Sequence, residues 1–171
     1  MTAFPMRSPP EKWRGFTLIE LVVVIIMVGI LAVVVLPKMN TNDFAQHAFH
    51  SGVKTLLQHA RRTAVASRRY ECVTITGGTV LALTRDPGIP EGKASISCSA
   101  DVSLPNQDAA CTATNQVCAP AGIAVTGTSS LIFDPLGRLV TAPGVVALTA
   151  ATLNIDGEPA ITVAPETGYV Q

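Results

Sequence analysis

The sequence RGFTLIELVVVIIMVGILAVVVLP, residues 14–37, decides how this chain is organised. Residues 16–36 form an apolar run of 21 residues in which Glu20 is the only charged side chain. A helix of that length spans about 31 Å, which matches the hydrocarbon core of a bilayer. The stretch therefore predicts one membrane-spanning helix near the start of the chain.

The charges that precede this run predict its orientation. Residues 1–15 carry Arg7, Lys12 and Arg14 against Glu11, a net charge of +2. The positive-inside rule then keeps residues 1–15 in the cytoplasm and places the chain after Pro37 on the far side of the membrane. A cleaved secretory signal peptide is the alternative, but the run is longer than the usual apolar segment and no small-x-small cleavage site follows it.

Length and periodicity predict a single globular head after the anchor. The chain has 171 residues, 48% of them hydrophobic and 14% charged, and leaves about 130 residues for one soluble core. Pro37 lacks an amide donor and should bend the helix. Residues 38–70 predict an amphipathic helix ending near Arg69, because small or apolar residues recur at steps of three and four: Ala45, Phe49, Val53, Leu56, Ala60 and Ala64.

A change to strand-like periodicity marks residues 71–171 as a mostly antiparallel β region. Residues 71–84 predict a hairpin around Gly77 and Gly78. A long loop is expected over residues 99–122. Further strands are expected at residues 94–99, 122–126, 130–134, 138–141, 151–155, 160–163 and 168–170. The predicted fold class is α+β, a long N-terminal helix packed on this sheet.

The N-terminal motif resembles a known export signal. Gly15 and Phe16, followed by Glu20 and an apolar run that ends at Pro37, closely resemble the class III signal of type IV pilins and type II secretion pseudopilins. The resemblance implies that a prepilin peptidase cleaves after Gly15 and methylates the amine of Phe16. It also implies that residues 16–37 remain as a membrane anchor and later form filament core. Glu20 would then pair with the amine of a neighbouring subunit.

Two stretches of the head narrow this resemblance. LIFDPLGR, residues 131–138, and ITVAPETGYVQ, residues 161–171, are similar to the head of the GspH/FimT family of minor pilins and pseudopilins. The resemblance implies a non-catalytic filament subunit with no cofactor, held in the bacterial inner membrane with its head in the periplasm. Its expected partners are other pilins, the prepilin peptidase and the assembly platform of the inner membrane. Type IV pilus and type II secretion both remain open as destinations.

Four cysteines lie in the part of the chain that is expected to be exported. Their even number predicts two disulfides in an oxidising compartment. A zinc site is the alternative, but zinc ligands usually come as closely spaced cysteine pairs and no histidine lies nearby. Three pairings are possible, and we favour Cys111 with Cys118 in the long loop and Cys72 with Cys98 between two strands.

The predicted head helix carries a row of positive charges. These residues, here called the cationic strip, are Lys54, Arg61, Arg62, Arg68 and Arg69. One interpretation is a phosphate-binding surface of a DNA-binding minor pilin in a DNA-uptake pilus. The other, which we favour, is a solvated face or a contact with acidic neighbours in a filament. The chain ends in Gly168-Tyr169-Val170-Gln171 without the arginines that such DNA-binding relatives carry there.

Signals of catalysis or metal binding are absent from the sequence. There is no Gly-x-Ser-x-Gly elbow, no phosphate-binding glycine loop and no His-Glu-x-x-His motif. The three histidines, His47, His50 and His59, fall on the predicted head helix, where a solvated surface explains them. We therefore expect no enzyme activity and no metal site.

Overall fold

The computed structural model describes residues 16–35, 41–106 and 110–171. Two compact units result, one up to Asn40 and one over Thr41–Gln171. Two predicted features, Gly15 of the cleavage site and the bend at Pro37, lie outside the described residues, as does the leader at residues 1–15. The boundaries predicted between leader, anchor, head helix and β region remain predictions.

The first unit contains helix α1, Leu18–Val35. Apart from Glu20 in the first turn and Gly29, which has no side chain, its residues are apolar on every side of the helix. Its large apolar side chains are mostly exposed, from 42% at Val23 to 80% at Leu18. A helix that is apolar on every side needs an apolar environment from outside itself.

The second unit begins with helix α2, Thr41–Ser67, which is amphipathic. One stripe of small and aliphatic residues is buried against the β-sheet: Phe49, Val53, Leu56, Leu57, Ala60 and Ala64. These are the steps of three and four seen in the sequence, with Leu57 widening the stripe. The helix ends two residues earlier than expected, because Arg68 adopts φ 52° and the amide of Arg69 donates to the Ala64 carbonyl.

The β-strands of the described chain form two antiparallel sheets. Their bounds are β1 Glu71–Thr76, β2 Val80–Arg85, β3 Ala100–Asp101, β4 Gln116–Cys118, β5 Val125–Gly127, β6 Ser130–Phe133, β7 Leu139–Ala142, β8 Val145–Val146, β9 Ala151–Ile155 and β10 Ile161–Val163. The larger sheet has the order β3-β2-β1-β6-β7-β8, with β4 also paired to β2, and the smaller sheet has the order β10-β9-β5. The α+β class with antiparallel sheets agrees with the prediction.

A shared core joins α2 to both sheets. The inward residues of the central strands, Val73, Leu83 and Phe133, are fully buried. Leu153 and Ile161 bring the smaller sheet into the same apolar cluster. In β2 and β9, buried residues alternate with less buried ones, which places Leu83 and Leu153 on the inward face of their strands.

Two strand predictions and one loop prediction are wrong in detail. Residues 94–99 form no strand, because the amide of Ser97 donates to the Asp86 carboxylate and only the amide of Ser99 reaches the backbone of β2, at Arg85. Residues 168–170 contribute one bridge, between Val170 and Val163. The expected loop at residues 99–122 contains β3 and β4, because both find amides and carbonyls on the edge of β2.

Candidate functional site

The start of α1 carries two of the residues that the N-terminal motif singles out. Phe16 is 82% exposed and Glu20 is also exposed. The amide of Glu20 donates to the hydroxyl of Thr17 at 3.3 Å, which makes Thr17 the N-cap of the helix. Thr17 and Glu20 have the Thr-x-x-Glu spacing of a capping box, and the half of it that the structure shows is the bond from the Glu20 amide to Thr17.

The cationic strip lies along the second half of α2 and the turn that follows. Arg62 and Arg68 are exposed, and Lys54, Arg61 and Arg69 are half-buried. Within the described residues no member of the strip is in an ion pair. Every other described cation is paired: Arg85 with Glu71, Lys93 with Asp86 and Arg138 with Asp134.

Two members of the strip carry buried nitrogen atoms without partners. The Nε of Arg61 and the Nη1 of Arg69 make no hydrogen bond in the described part of the chain. A buried polar group without a partner has lost its hydration and gained nothing in exchange. Burial closes these two nitrogens to an acceptor from outside, so such an acceptor could reach the two arginines only through their other guanidinium nitrogens.

Arg61 borders a small cavity at the end of the head. The cavity has a volume of about 150 Å³ and is lined by Gln58, Arg61, Arg62, Gly168, Tyr169 and Val170. The C-terminal turn therefore reaches the cationic strip. Sequence reasoning could not bring residues 61 and 169 together, because the contact depends on how the last turn folds back on α2.

A second contact links the start of α2 to the β9–β10 turn. The Nδ1 atoms of His47 and His50 lie 3.2 and 4.0 Å from Oε2 of Glu158, and Nε2 of His50 lies 3.0 Å from the carbonyl of Pro159. Two of the three histidines thus hold a turn against the helix instead of being only solvated. Across the residues with described positions, no group of three histidine, cysteine or acidic side chains could hold a metal ion.

A larger cavity of about 470 Å³ lies between α2 and the chain around β4. Its walls are largely apolar or small, with Phe49, Leu56, Leu104 and Val117 on the floor. Ser51, Thr55 and His59 add polar atoms on the helix side. No catalytic constellation is present among these lining residues.

Both disulfides join the cysteines as favoured from the sequence. Cys72 of β1 is bonded to Cys98, and Cys111 is bonded to Cys118 of β4. No free cysteine occurs in the described chain. The first bond ties the segment after β2 to the centre of the larger sheet, and the second closes a short loop.

The chain matches no established family profile and no curated protein. Among solved structures it is similar to the type IV minor pilin FimU of Pseudomonas aeruginosa, with 20% identity over 78% of this chain and 89% of that one and a TM-score of 0.49. It is also similar to the minor pseudopilin EpsH of the type II secretion system of Vibrio cholerae. One EpsH structure has 18% identity over 74% and 90% of the two chains, with a TM-score of 0.42.

Proposed function

We propose that this chain is a non-catalytic subunit, of minor pilin or pseudopilin type, in a type IV pilus or a type II secretion pseudopilus. Helix α1 would join subunits in the filament core, and the head formed by residues 41–171 would face outward. The observation that carries the proposal is α1 itself, whose apolar side chains are exposed on all sides. Such a helix is stable only in lipid or among similar helices.

The proposed pathway begins in the inner membrane. Among the residues that the structure describes, no helix combines the length and hydropathy needed to cross a membrane. The anchor is proposed from the sequence, whose apolar run continues to Leu36 and follows a basic leader. Prepilin peptidase would cleave after Gly15 and methylate Phe16, and the assembly platform would then move α1 from lipid into the filament.

Intact-mass measurement of the protein purified from membranes tests this proposal. The mature chain should begin at N-methylated Phe16, and Gly15→Ala should leave the precursor uncut. A matched control is Gly29→Ala, because a side chain at Gly29 would meet no other atom and lies far from the scissile bond. A chain that begins after Pro37 would contradict the proposal, since the apolar run would then be an ordinary signal peptide.

DNA binding by the cationic strip is the second candidate function. The five cations of the strip, none of which is in an ion pair among the described residues, support it, because a phosphate backbone would supply acceptors for them. The test is titration of the full chain in detergent with duplex DNA at low and physiological salt. Affinity should fall steeply with salt, and Arg62→Gln combined with Arg68→Gln should flatten that slope. Binding that these substitutions leave unchanged would place the DNA site elsewhere.

A further inference from the structure

Three exposed apolar side chains lie on the segments that meet near the Arg61 cavity, and one of them, Tyr169, lines it. Val65 of α2 is 47% exposed, Leu136 of the β6–β7 turn is 70% exposed and Tyr169 of the C-terminal turn is 56% exposed. Together with Arg61 and Arg62 they are here called the Arg61 surface. They come from three separate segments, so only the folded head assembles them.

Two glycines bring these segments together. A Cβ added at Gly137 would lie 3.1 Å from Cγ2 of Val65 and 3.3 Å from Nε of Arg61. A Cβ added at Gly168 would overlap the carbonyl of Gly137 and approach Cδ of Arg61. Both glycines have positive φ, 80° and 59°. The two turns therefore pack backbone to backbone over the stem of Arg61, which brings Leu136 and Tyr169 to the same end of the head.

We propose that the Arg61 surface binds a segment of a partner protein in which a carboxylate lies next to an apolar side chain. The carboxylate would accept from the exposed guanidinium of Arg62 and from the terminal nitrogens of Arg61, because the Nε of Arg61 is buried and closed to a partner. The apolar side chain would cover Leu136 and Tyr169. The inference does not depend on the filament assignment, because the same surface would serve any partner with this chemistry.

Charge complementarity favours a partner with a negative charge at this surface. Neither Arg61 nor Arg62 is in an ion pair within the described chain, and Glu166 of the same C-terminal turn is paired with neither of them. An arginine can offer two parallel N–H groups to one carboxylate, and such bonds are among the stronger ones at interfaces. Arginine and tyrosine beside a small cavity are also the residue types that dominate binding energy at protein interfaces.

The apolar side chains favour a protein over DNA. The phosphates and sugars of DNA would make few favourable contacts with Leu136 and Val65. Polar and charged groups placed over these apolar side chains would lose hydration without gaining hydrogen bonds. A peptide segment can satisfy the arginines and bury the apolar atoms at once. DNA binding at this surface is therefore the competing outcome of the test.

The experiment measures binding of short labelled peptides to the full chain in detergent at low salt. The probe alternates glutamate and leucine, and matched peptides carry glutamine in place of glutamate or serine in place of leucine. We expect the probe to bind and each matched peptide to bind at least about tenfold more weakly. A short DNA duplex and a short single strand are titrated in parallel.

Variants locate the binding. Arg62→Gln should lower the affinity for the probe peptide by about tenfold, and Leu136→Ser should lower it by about fivefold. Leu148→Ser and Lys54→Gln should leave it unchanged, because Leu148 is equally apolar and 98% exposed and Lys54 belongs to the strip but not to this surface. Both test residues are on the surface, so the fold should survive.

Several results would overturn the proposal. These are absence of binding, equal binding of the glutamine peptide, or no effect of Leu136→Ser. DNA binding that Arg62→Gln and Leu136→Ser abolish, without peptide binding, would assign the surface to nucleic acid instead.

Discussion

The Nε of Arg85 lies 2.6 Å from Oε1 of Glu71, across a strand pair in which these two residues face each other in register. Glu71 is fully buried and its Oε2 makes no hydrogen bond in the described chain. Burial raises the pKa of the Glu71 carboxyl above 4.5, although the hydrogen bond and charge of Arg85 and the hydroxyl of Ser67 lower it. The folded state therefore holds the proton of Glu71 more tightly than the unfolded state does.

The first prediction follows from that sign. The stability that Glu71 contributes is fully present below pH 4.5 and is lost as the pH rises through the raised pKa of the folded state. Urea unfolding of the wild type and Glu71→Gln should therefore differ in pH slope, with the variant losing less stability toward neutral pH. Arg85→Ala should cost about 3 kcal/mol near neutral pH and less in acid, because it leaves a buried charge unpaired. An identical pH slope in Glu71→Gln would contradict the assigned pKa direction.

Asp86 has the opposite behaviour. Burial alone would raise the pKa of Asp86, but bonds from Lys93 and from the amides of Ser97 and Gly88 outweigh it and hold the pKa below 3.8. The stability that Asp86 contributes is present above pH 3.8 and is lost as the pH falls through the lower pKa of the folded state. Asp86→Asn should cost about 2 kcal/mol near neutral pH, measured by urea unfolding, because it replaces charged acceptors with a neutral amide. Asp156→Asn, at an exposed turn, is the control and should change little.

Arg68 is a non-glycine residue with φ 52° at the end of α2. Its conformation is one that side chains resist, so Arg68→Gly should raise the free energy of unfolding by about 0.5 kcal/mol. Arg62→Gly, at an exposed position inside α2, should lower it by about 1 kcal/mol. Thermal unfolding of both variants at one pH checks the pair. Destabilisation by Arg68→Gly would show that the arginine makes a contact stronger than the strain it carries.

The two disulfides should differ in their effect on stability. Cys72 and Cys98 are 26 residues apart, and Cys111 and Cys118 are 7 apart. Loop entropy then assigns about 3.5 kcal/mol to the first bond and about 2.5 kcal/mol to the second. Replacing both Cys72 and Cys98 with serine should therefore lower the free energy of unfolding, measured in urea, more than replacing both Cys111 and Cys118 does. A larger loss at Cys111 and Cys118 would indicate that native contacts, and not chain entropy, dominate there.

Two roles proposed for Glu20, helix capping and pairing with a neighbouring subunit, can be separated by variants. Glu20→Gln keeps a side chain of similar size but removes the charge, whereas Thr17→Ala removes the hydroxyl that caps the helix and keeps the charge. If the carboxylate pairs with the Phe16 amine of an adjacent subunit, Glu20→Gln should be cleaved normally yet be depleted in sheared filaments relative to membranes. Thr17→Ala should enter filaments more efficiently than Glu20→Gln. The reverse order would show that helix capping, and not subunit pairing, is the role of Glu20.

Local patterns were sufficient for much of the fold. The heptad-like spacing from Phe49 to Ala64 predicted the buried stripe of α2, because a helix places every third and fourth residue on one face. Gly77 and Gly78 predicted the β1–β2 hairpin, since both adopt positive φ there. Short strands such as β3 and β8 escaped prediction because two residues carry no period and pair only where a neighbouring edge is available.

The sequence by itself determined the features that reside in consecutive residues. These are the apolar helix with Glu20 in its first turn, the amphipathic helix after it and the alternation of the central strands. Tertiary structure alone decided which distant groups meet: Glu71 with Arg85, Glu158 with His47, and the C-terminal turn with Arg61. The physical reason is that periodicity fixes which face of an element is apolar, whereas the partner across that face depends on register and on turns whose glycines permit close approach. Tertiary structure also decided that Arg61 and Arg62 form no ion pair among the described residues, because a sequence supplies charges but does not show which of them the fold brings together.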